Sequence, residues 1–354
     1  MLQPSIAAPS DLVLVTGASG FIGTRVVHLL IEHGHDNIRC LVRPSSRRGR
    51  LDEIVERAGG RARVEVMQGD LTSQADCLRA AEGVRVAIHL AAGFDKSFAG
   101  AFMNSALATR NLIEALLERA QLSRFVNVSS FAVYSNLSLR RGALLDETAP
   151  LEDAPQQRYD AYGFGKLKQE QLVREYGQSR GLPFVILRPG TVYGPGKKDL
   201  TGRIGIDTFG VFLHIGGGNE LPLTYVDNCA EAIVLAGFAQ GVDGEVFNVV
   251  DDERLTSAQF LRAYRRRVRG FRSIRLPYAL ALLLSRWWES YSTRSQGQLP
   301  PAFNQRRCAA EWKGNRYTNR KLHDRLGWQQ RVPLQEGMDR FLDQFAVDGA
   351  VAKP

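Results

Sequence analysis

The chain has 354 residues, 44% of them hydrophobic, with 46 Lys and Arg against 37 Asp and Glu, a formal net charge of +9. That length suits two domains, or one large core with an appended lobe. Cys40, Cys77, Cys229 and Cys308 stand far apart with no C-x-x-C pair, which excludes a disulfide framework and a cysteine metal site and points to a reducing, cytoplasmic setting. The first ten residues carry no basic and apolar signal pattern, and no apolar run reaches the ~20 residues of a membrane span.

In chain order, the first strand is expected at Leu12–Thr16, followed by a glycine turn and a helix over Phe21–Glu32. Strands then follow at Ile38–Val42, Val64–Gln68, Val86–Leu90, Phe125–Ser129 and Phe184–Leu187, with helices at Gln74–Ala81, Ala101–Arg119 and Ala161–Arg180 between them. Short apolar strands alternating with helices predict a parallel sheet covered on both faces, with ligands at the carboxyl ends of the strands. After about Gly194 the alternation loosens and glycines cluster, and a helix at Asp227–Ala239, a strand at Val246–Val250 and a helix at Ser257–Val268 follow.

The turn reads Thr16-Gly17-Ala18-Ser19-Gly20-Phe21-Ile22-Gly23. Gly17 permits the tight turn, Gly20 lets backbone approach a pyrophosphate, and Gly23 lets the helix sit close on the strand. The helix N-terminus, with the N–H groups of Ser19, Phe21 and Ile22, is then a phosphate site.

This turn resembles that of the extended short-chain dehydrogenase/reductase family, also called the NAD-dependent epimerase/dehydratase family. Further segments fall in family order: Gly69-Asp70-Leu71, His89-Leu90-Ala91-Ala92, Val128-Ser129-Ser130 with Val133-Tyr134, Tyr162-Gly163-Phe164-Gly165-Lys166, Leu187-Arg188-Pro189, and Thr224-Tyr225-Val226-Asp227-Asn228. The resemblance implies an α/β fold, a Rossmann-type doubly wound parallel sheet with a smaller C-terminal α/β substrate lobe. The expected division is 11–194 for the NAD(P)-binding domain, with its sheet shared by later segments. The substrate lobe is expected mainly over 195–346, and a flexible tail over 347–354.

Tyr162 and Lys166 lie four apart on one predicted helix face. A Lys ammonium near a phenol favours phenolate, so Tyr162 is the candidate general acid/base. The resemblance assigns Lys166 to tuning it and gripping the nicotinamide ribose. It also places the active hydroxyl at Ser130, four residues before Tyr134, where it steadies the reacting oxygen. Ser129 should point the other way along the strand. Asp70, Leu71, Ala91, Ala92 and Pro189 are expected beside the cofactor. Arg43 replaces the acidic residue that usually binds the NAD ribose, and Ser45 to Arg48 add donors, so NADP is favoured over NAD. His89 reads as a hydrogen-bonded core residue. No metal is expected.

Departures from the family pattern sharpen the reading. Phe131 and Ala132 stand where 4,6-dehydratases carry Asp and Glu, which argues against that dehydration. Thr191 replaces the Asn of many sugar-nucleotide epimerases. The chain from Ile215 to Asn228 looks closer to the 3β-hydroxysteroid dehydrogenase branch. The resulting reading is an NAD(P)-dependent oxidoreductase or epimerase acting on a secondary alcohol or ketone of a nucleotide sugar or related glycan precursor. A sterol-like alcohol is the rival substrate, and a non-catalytic dinucleotide sensor the rival class.

Seven arginines from Arg262 to Arg275 read first as a solvated helix face, with an anionic partner as the alternative. No nucleic-acid module accompanies them. The apolar run Leu276–Trp288 resembles a lipid-facing segment of the hydroxysteroid branch, yet reads first as a wall or lid of the substrate pocket. Peripheral membrane contact and a homodimer stay open.

Overall fold

A computed structural model describes residues 5–197, 201–208, 210–296 and 298–351. Its centre is a seven-stranded sheet of β1 (Val13–Thr16), β2 (Asn37–Val42), β3 (Arg63–Gln68), β4 (Val86–His89), β5 (Arg124–Val128), β6 (Phe184–Pro189) and β7 (Val246–Val249). The strands lie in the order β7-β6-β5-β4-β1-β2-β3, every pair parallel. The order reverses between β1 and β4, which opens a crevice at their carboxyl ends.

Alternation along each strand sends side chains to two separate cores. Val13 and Val15 face one layer and Leu14 the other, and Val126 and Phe125 divide in the same way. The first layer is closed by the helices Gly23–Glu32 and Val226–Phe238 through Val26, Leu30, Cys229 and Ile233. Leu112, Leu116, Cys77 and Ala80, from the helices Ala108–Arg119 and Gln74–Ala81, close the second. Burial on both faces explains the apolar runs Val13–Val15, Val86–Ile88, Phe125–Val126 and Phe184–Leu187 at the heart of β1, β4, β5 and β6, whereas edge strand β3 is only half-buried.

Two elements depart from the expected pattern. The helix expected over Ala101–Arg119 is split: a short turn at Phe98–Ala101, a π-helical stretch at Phe102–Leu107, then regular helix from Ala108. An unanticipated helix covers Gly49–Ala58, ended by Gly59 at φ +56°.

The later half of the chain returns to the main sheet through β7 and builds a three-stranded sheet of its own from Gly205–Thr208, Val211–Ile215 and Ser273–Leu276. Helices Ser257–Arg267, Tyr278–Arg294 and Gln305–Trp312 surround it. A last helix, Leu334–Val351, runs into the stretch expected to fray from 347, and residues 352–354 lie outside the described residues. No helix among the described residues is long and apolar enough to cross a membrane.

Candidate active site

The glycine turn after β1 adopts the geometry its sequence suggests. Gly17 sits at φ +69°, and a Cβ there would lie 3.0 Å from the Ala91 backbone nitrogen. A Cβ on Gly23 would stand 2.1 Å from the Gly17 carbonyl oxygen, so only glycine lets the helix sit this close. The helix has no side-chain N-cap at Ile22 and no acidic residue in its first turn. Thr24 and Arg25 already donate to the Gly20 and Ile22 carbonyls, so the N-terminal dipole and the N–H groups just ahead of them are what is left for an anion.

Gly17, Ser19, Gly20, Arg43, Asp70, Leu71, Ala91 and Ala92 line one groove of about 220 Å³. Phe21 and Ile22 pack their side chains toward the core, which leaves only their backbone to face a ligand. Asp70 accepts hydrogen bonds from the Thr72 backbone and hydroxyl at 2.8 Å each. Those bonds hold its carboxyl below the usual carboxylate range, with Arg43 adding to the effect. The helix that follows is capped by Ser73, so Asp70 keeps an edge for the groove. Ser46, Phe94 and Asn104 also line it. Asn104 comes from the π-helical stretch and donates to Asp95 at 2.9 Å, tying down the loop after β4.

A second cavity of about 620 Å³ opens where Ser130 and Tyr162 meet. Ser130 follows β5, caps the short turn Phe131–Val133 and accepts from Ala132 N at 3.2 Å. Its hydroxyl lies near the Tyr162 phenol, close enough to favour the ionised phenol. Ser129, one residue back, is buried, and its hydroxyl has no partner among the described residues. Tyr162 lies in the first turn of the helix Ala161–Arg180, capped by Asp160, which accepts from Gly163 N at 2.8 Å. Arg158 fastens the two pieces together. It donates to the Asp160 carboxylate at 2.8 Å, to the Tyr134 carbonyl at 3.1 Å and to the Ala132 carbonyl. Phe94, 82% exposed, stacks on the Tyr162 ring with centroids 5.2 Å apart.

Lys166 is buried below this surface and donates to the Val128 carbonyl at 2.7 Å. Burial pushes its ammonium down to about 7, against the pull of Glu170. Burial also pushes the Tyr162 phenol up to about 12, opposed by the nearby Ser130 hydroxyl. The phenolate expected from Lys166 is therefore corrected. The lysine gives its hydrogen bond to backbone and is itself only partly charged near neutrality, so Tyr162 rests as a protonated donor.

His89 is a core residue, as expected. Its Nδ1 bonds Thr16 Oγ1 at 2.8 Å and its Nε2 bonds Thr109 Oγ1 at 2.9 Å, and burial lowers it to about 3. Pro189 ends β6 in the core, and its successors Gly190 and Thr191 line the cavity. Lys96, Arg203 and Arg307 line the cavity too and were not singled out from sequence. The run Leu276–Trp288 contributes nothing to either cavity lining. It is not their wall or lid: its inward residues, Tyr278, Ala281, Leu282 and Ser285, pack beside Gln305–Trp312 instead.

Comparison with known proteins gives the same grouping. A 3beta-hydroxysteroid-dehydrogenase/decarboxylase isoform 2 of Arabidopsis thaliana is 26% identical over 378 residues, covering 98% of this chain. The chain spans 64% of that relative's length. The crystal structure of gox2253 superposes with a TM-score of 0.77 at 25% identity, covering 96% of this chain and 99% of that one. A Thermus thermophilus UDP-glucose 4-epimerase solved with NAD gives a TM-score of 0.68 at 23% identity, covering 95% and 99%, a likeness of fold. The profile of the NAD dependent epimerase/dehydratase family matches residues 13–249, and the chain belongs to that family.

Proposed function

We propose that the protein is an NAD(P)-dependent oxidoreductase or epimerase acting at a secondary alcohol or ketone of a nucleotide sugar or related glycan precursor. The observation that carries this reading is that Ser130 and Tyr162 together line a cavity whose wall also holds Lys96, Arg203 and Arg307. The cations suit the diphosphate of a nucleotide sugar. Carboxylates of Asp95, Asp160 and Glu311 share the lining and supply acceptors for sugar hydroxyls. A glycine cradle that a Cβ would fill and an uncapped helix N-terminus fit a dinucleotide pyrophosphate. Arg43, Ser46 and Asp70 would hold its adenosine end, with Arg43 favouring NADP over NAD. A bound nicotinamide supplies hydride transfer.

Tyr162 donates its phenolic proton to the substrate oxygen as a ketone is reduced, and takes it back when an alcohol is oxidised. Ser130 hydrogen-bonds that same oxygen as charge develops on it. Lys166 lies one helical turn along and steadies the Val128–Ser130 backbone from beneath. Phe131 and Ala132 can move no proton, which disfavours net dehydration. The four unpaired, buried cysteines fit a cytoplasmic enzyme.

A sterol-like substrate is the second reading, favoured by the name of the Arabidopsis relative. The charged lining of the cavity argues against it. The test is a panel of UDP-hexoses, UDP-hexuronates and a 3β-hydroxysteroid, each with NAD and NADP, followed by product analysis. Turnover of a UDP-sugar supports the proposal. Turnover confined to the steroid overturns it.

A further inference from the structure

The three-stranded sheet of the later half has two unlike faces. Its register pairs Phe212 with Ser273 and His214 with Arg275, so these four side chains point to one side. That side lies under the helix Ser257–Arg267, which buries Phe260, Leu261 and Tyr264 in the same core as Phe212. Ile215 and Leu276 point to the other side, where Tyr278–Arg294 and Gln305–Trp312 pack. Ser273–Leu276 is an edge strand. Between it and the flank of Ser257–Arg267 runs a groove of about 430 Å³, separate from both cavities of the active site.

Helix positions 258, 261, 262, 265 and 266 form one stripe along this groove. Three of them are arginines, and no Asp or Glu lines the groove. Arg265 donates to the neutral Ser273 hydroxyl at 3.2 Å and stands 5.7 Å from the Phe271 ring. Arg262 and Arg266 meet no carboxylate among the described residues. Arg267, on the opposite flank of the helix, is neutralised by Asp339 and Asp343. His214 is buried, lines the groove and bonds Ser257 Oγ at 2.9 Å. Burial, and then the charge of Arg275, hold its imidazole below the ordinary range. The groove's charge near neutral pH is therefore that of its arginines.

Local structure explains only part of this. The dipole of the helix favours cations in its last turn, which holds Arg265, Arg266 and Arg267. It does not account for Arg262, a turn earlier, or for Arg275 on the neighbouring strand. Arg262 and Arg266 stand four apart, a like-charged pair that weakens a helix. A surface shaped for solubility alone mixes both signs.

We propose that this groove is a binding site for a small soluble molecule carrying a phosphomonoester or diphosphate group. Three forked guanidiniums match the oxygens of such a group, and their summed charge suits an anion of two or more negative charges. A single carboxylate would leave most of that charge unbalanced. A nucleic-acid strand fits less well, because no Phe, Tyr or Trp lines the groove to stack a base.

The test is hydrogen exchange of the full chain titrated with inorganic pyrophosphate at constant ionic strength. Exchange reads each site separately, residues 257–276 for the groove and 17–25 for the glycine turn. The expected result is saturable protection of 257–276. Arg262→Gln/Arg266→Gln should weaken it at least tenfold, with circular dichroism and dinucleotide affinity unchanged, since both side chains are exposed and outside the active-site cavities. Arg262→Gln alone should weaken it at least threefold, and serves if the double variant is unstable. Arg203→Gln/Arg307→Gln, in the active-site cavity, should leave it intact. No protection of 257–276, or equal protection in the groove variants, overturns the proposal. Loss of protection in Arg203→Gln/Arg307→Gln overturns it too, by placing the pyrophosphate in the active-site cavity. Protection given only by an oligonucleotide or by anionic vesicles overturns it in favour of a polymer or a lipid surface.

Discussion

Replacing Lys166 by Met should make the protein more stable at neutral pH and less stable in alkali. Lys166 is 3% exposed, and its ammonium is brought from an ordinary 10.5 down to about 7 by burial. Its folded-state pKa is thus below its unfolded one, and between about pH 7 and 10.5 the unfolded chain binds the extra proton. Stability from this group therefore rises with pH across that window and is lowest at and below pH 7. At about 1.4 kcal/mol per pKa unit, the burden near pH 7 is on the order of 4 kcal/mol. Methionine has similar length and no charge, and removes that burden. It also strips the Val128 carbonyl of its 2.7 Å donor, a loss of about 1–3 kcal/mol. The net expectation is a gain on the order of 1–3 kcal/mol at pH 7, turning to a loss of similar size above pH 10.5. Denaturant melts of both proteins without cofactor, at pH 7 and pH 10.5, read this directly. A variant less stable than wild type by the same amount at both pH values refutes the reasoning. Cofactor affinity and turnover should fall in the variant at every pH.

Other substitutions probe the remaining parts. Gly23→Ala places a Cβ against the Gly17 carbonyl, so dinucleotide affinity measured by titration should fall at least a hundredfold. Arg43→Asp should shift preference from NADP to NAD, and tighter binding of NAD than NADP by wild type would show the Arg43 argument wrong. Glu170→Gln leaves the buried Arg188 guanidinium without the carboxylate it now meets at 2.6 and 2.9 Å, and should cost about 3–5 kcal/mol in chemical denaturation. A cost under about 1 kcal/mol would mean that Tyr134, 2.9 Å away, carries the guanidinium unaided.

The sheet was legible because its signals are local. Each parallel strand buried on both faces is a short apolar run, and the glycine turn needs residues that no other amino acid replaces. The Gly49–Ala58 helix was missed because among the described residues it buries only Leu51 and Ala58 completely, too little to stand out against its charges. The π-helical stretch was missed because Phe102–Leu107 has the composition of ordinary helix. Ser105 in that stretch accepts from the Gly93 N–H at 3.1 Å, a tertiary contact that no local pattern announces. Tyr162 and Lys166 share a helix face, but that spacing is common by chance, and it was the resemblance to the family pattern that singled out the pair together with Ser130. Arg203, Arg307 and Lys96 were not, since only folding brings their three distant segments to one cavity. The Leu276–Trp288 run was recognised as apolar, but a sequence pattern does not tell a covered face from a bare one. The small residues at 281 and 285, which mark the packed side, were the available sign.

The central claim is that Tyr162 is the proton donor and acceptor of this site. Tyr162→Phe keeps the ring that stacks on Phe94 and removes only the phenolic oxygen beside Ser130. Steady-state turnover of this variant should be measured on whichever substrate of the panel the wild type converts, with dinucleotide affinity titrated in parallel. The account predicts unchanged dinucleotide binding and a turnover lower by about 10²–10⁴. Turnover within a few fold of wild type, with binding intact, would contradict it.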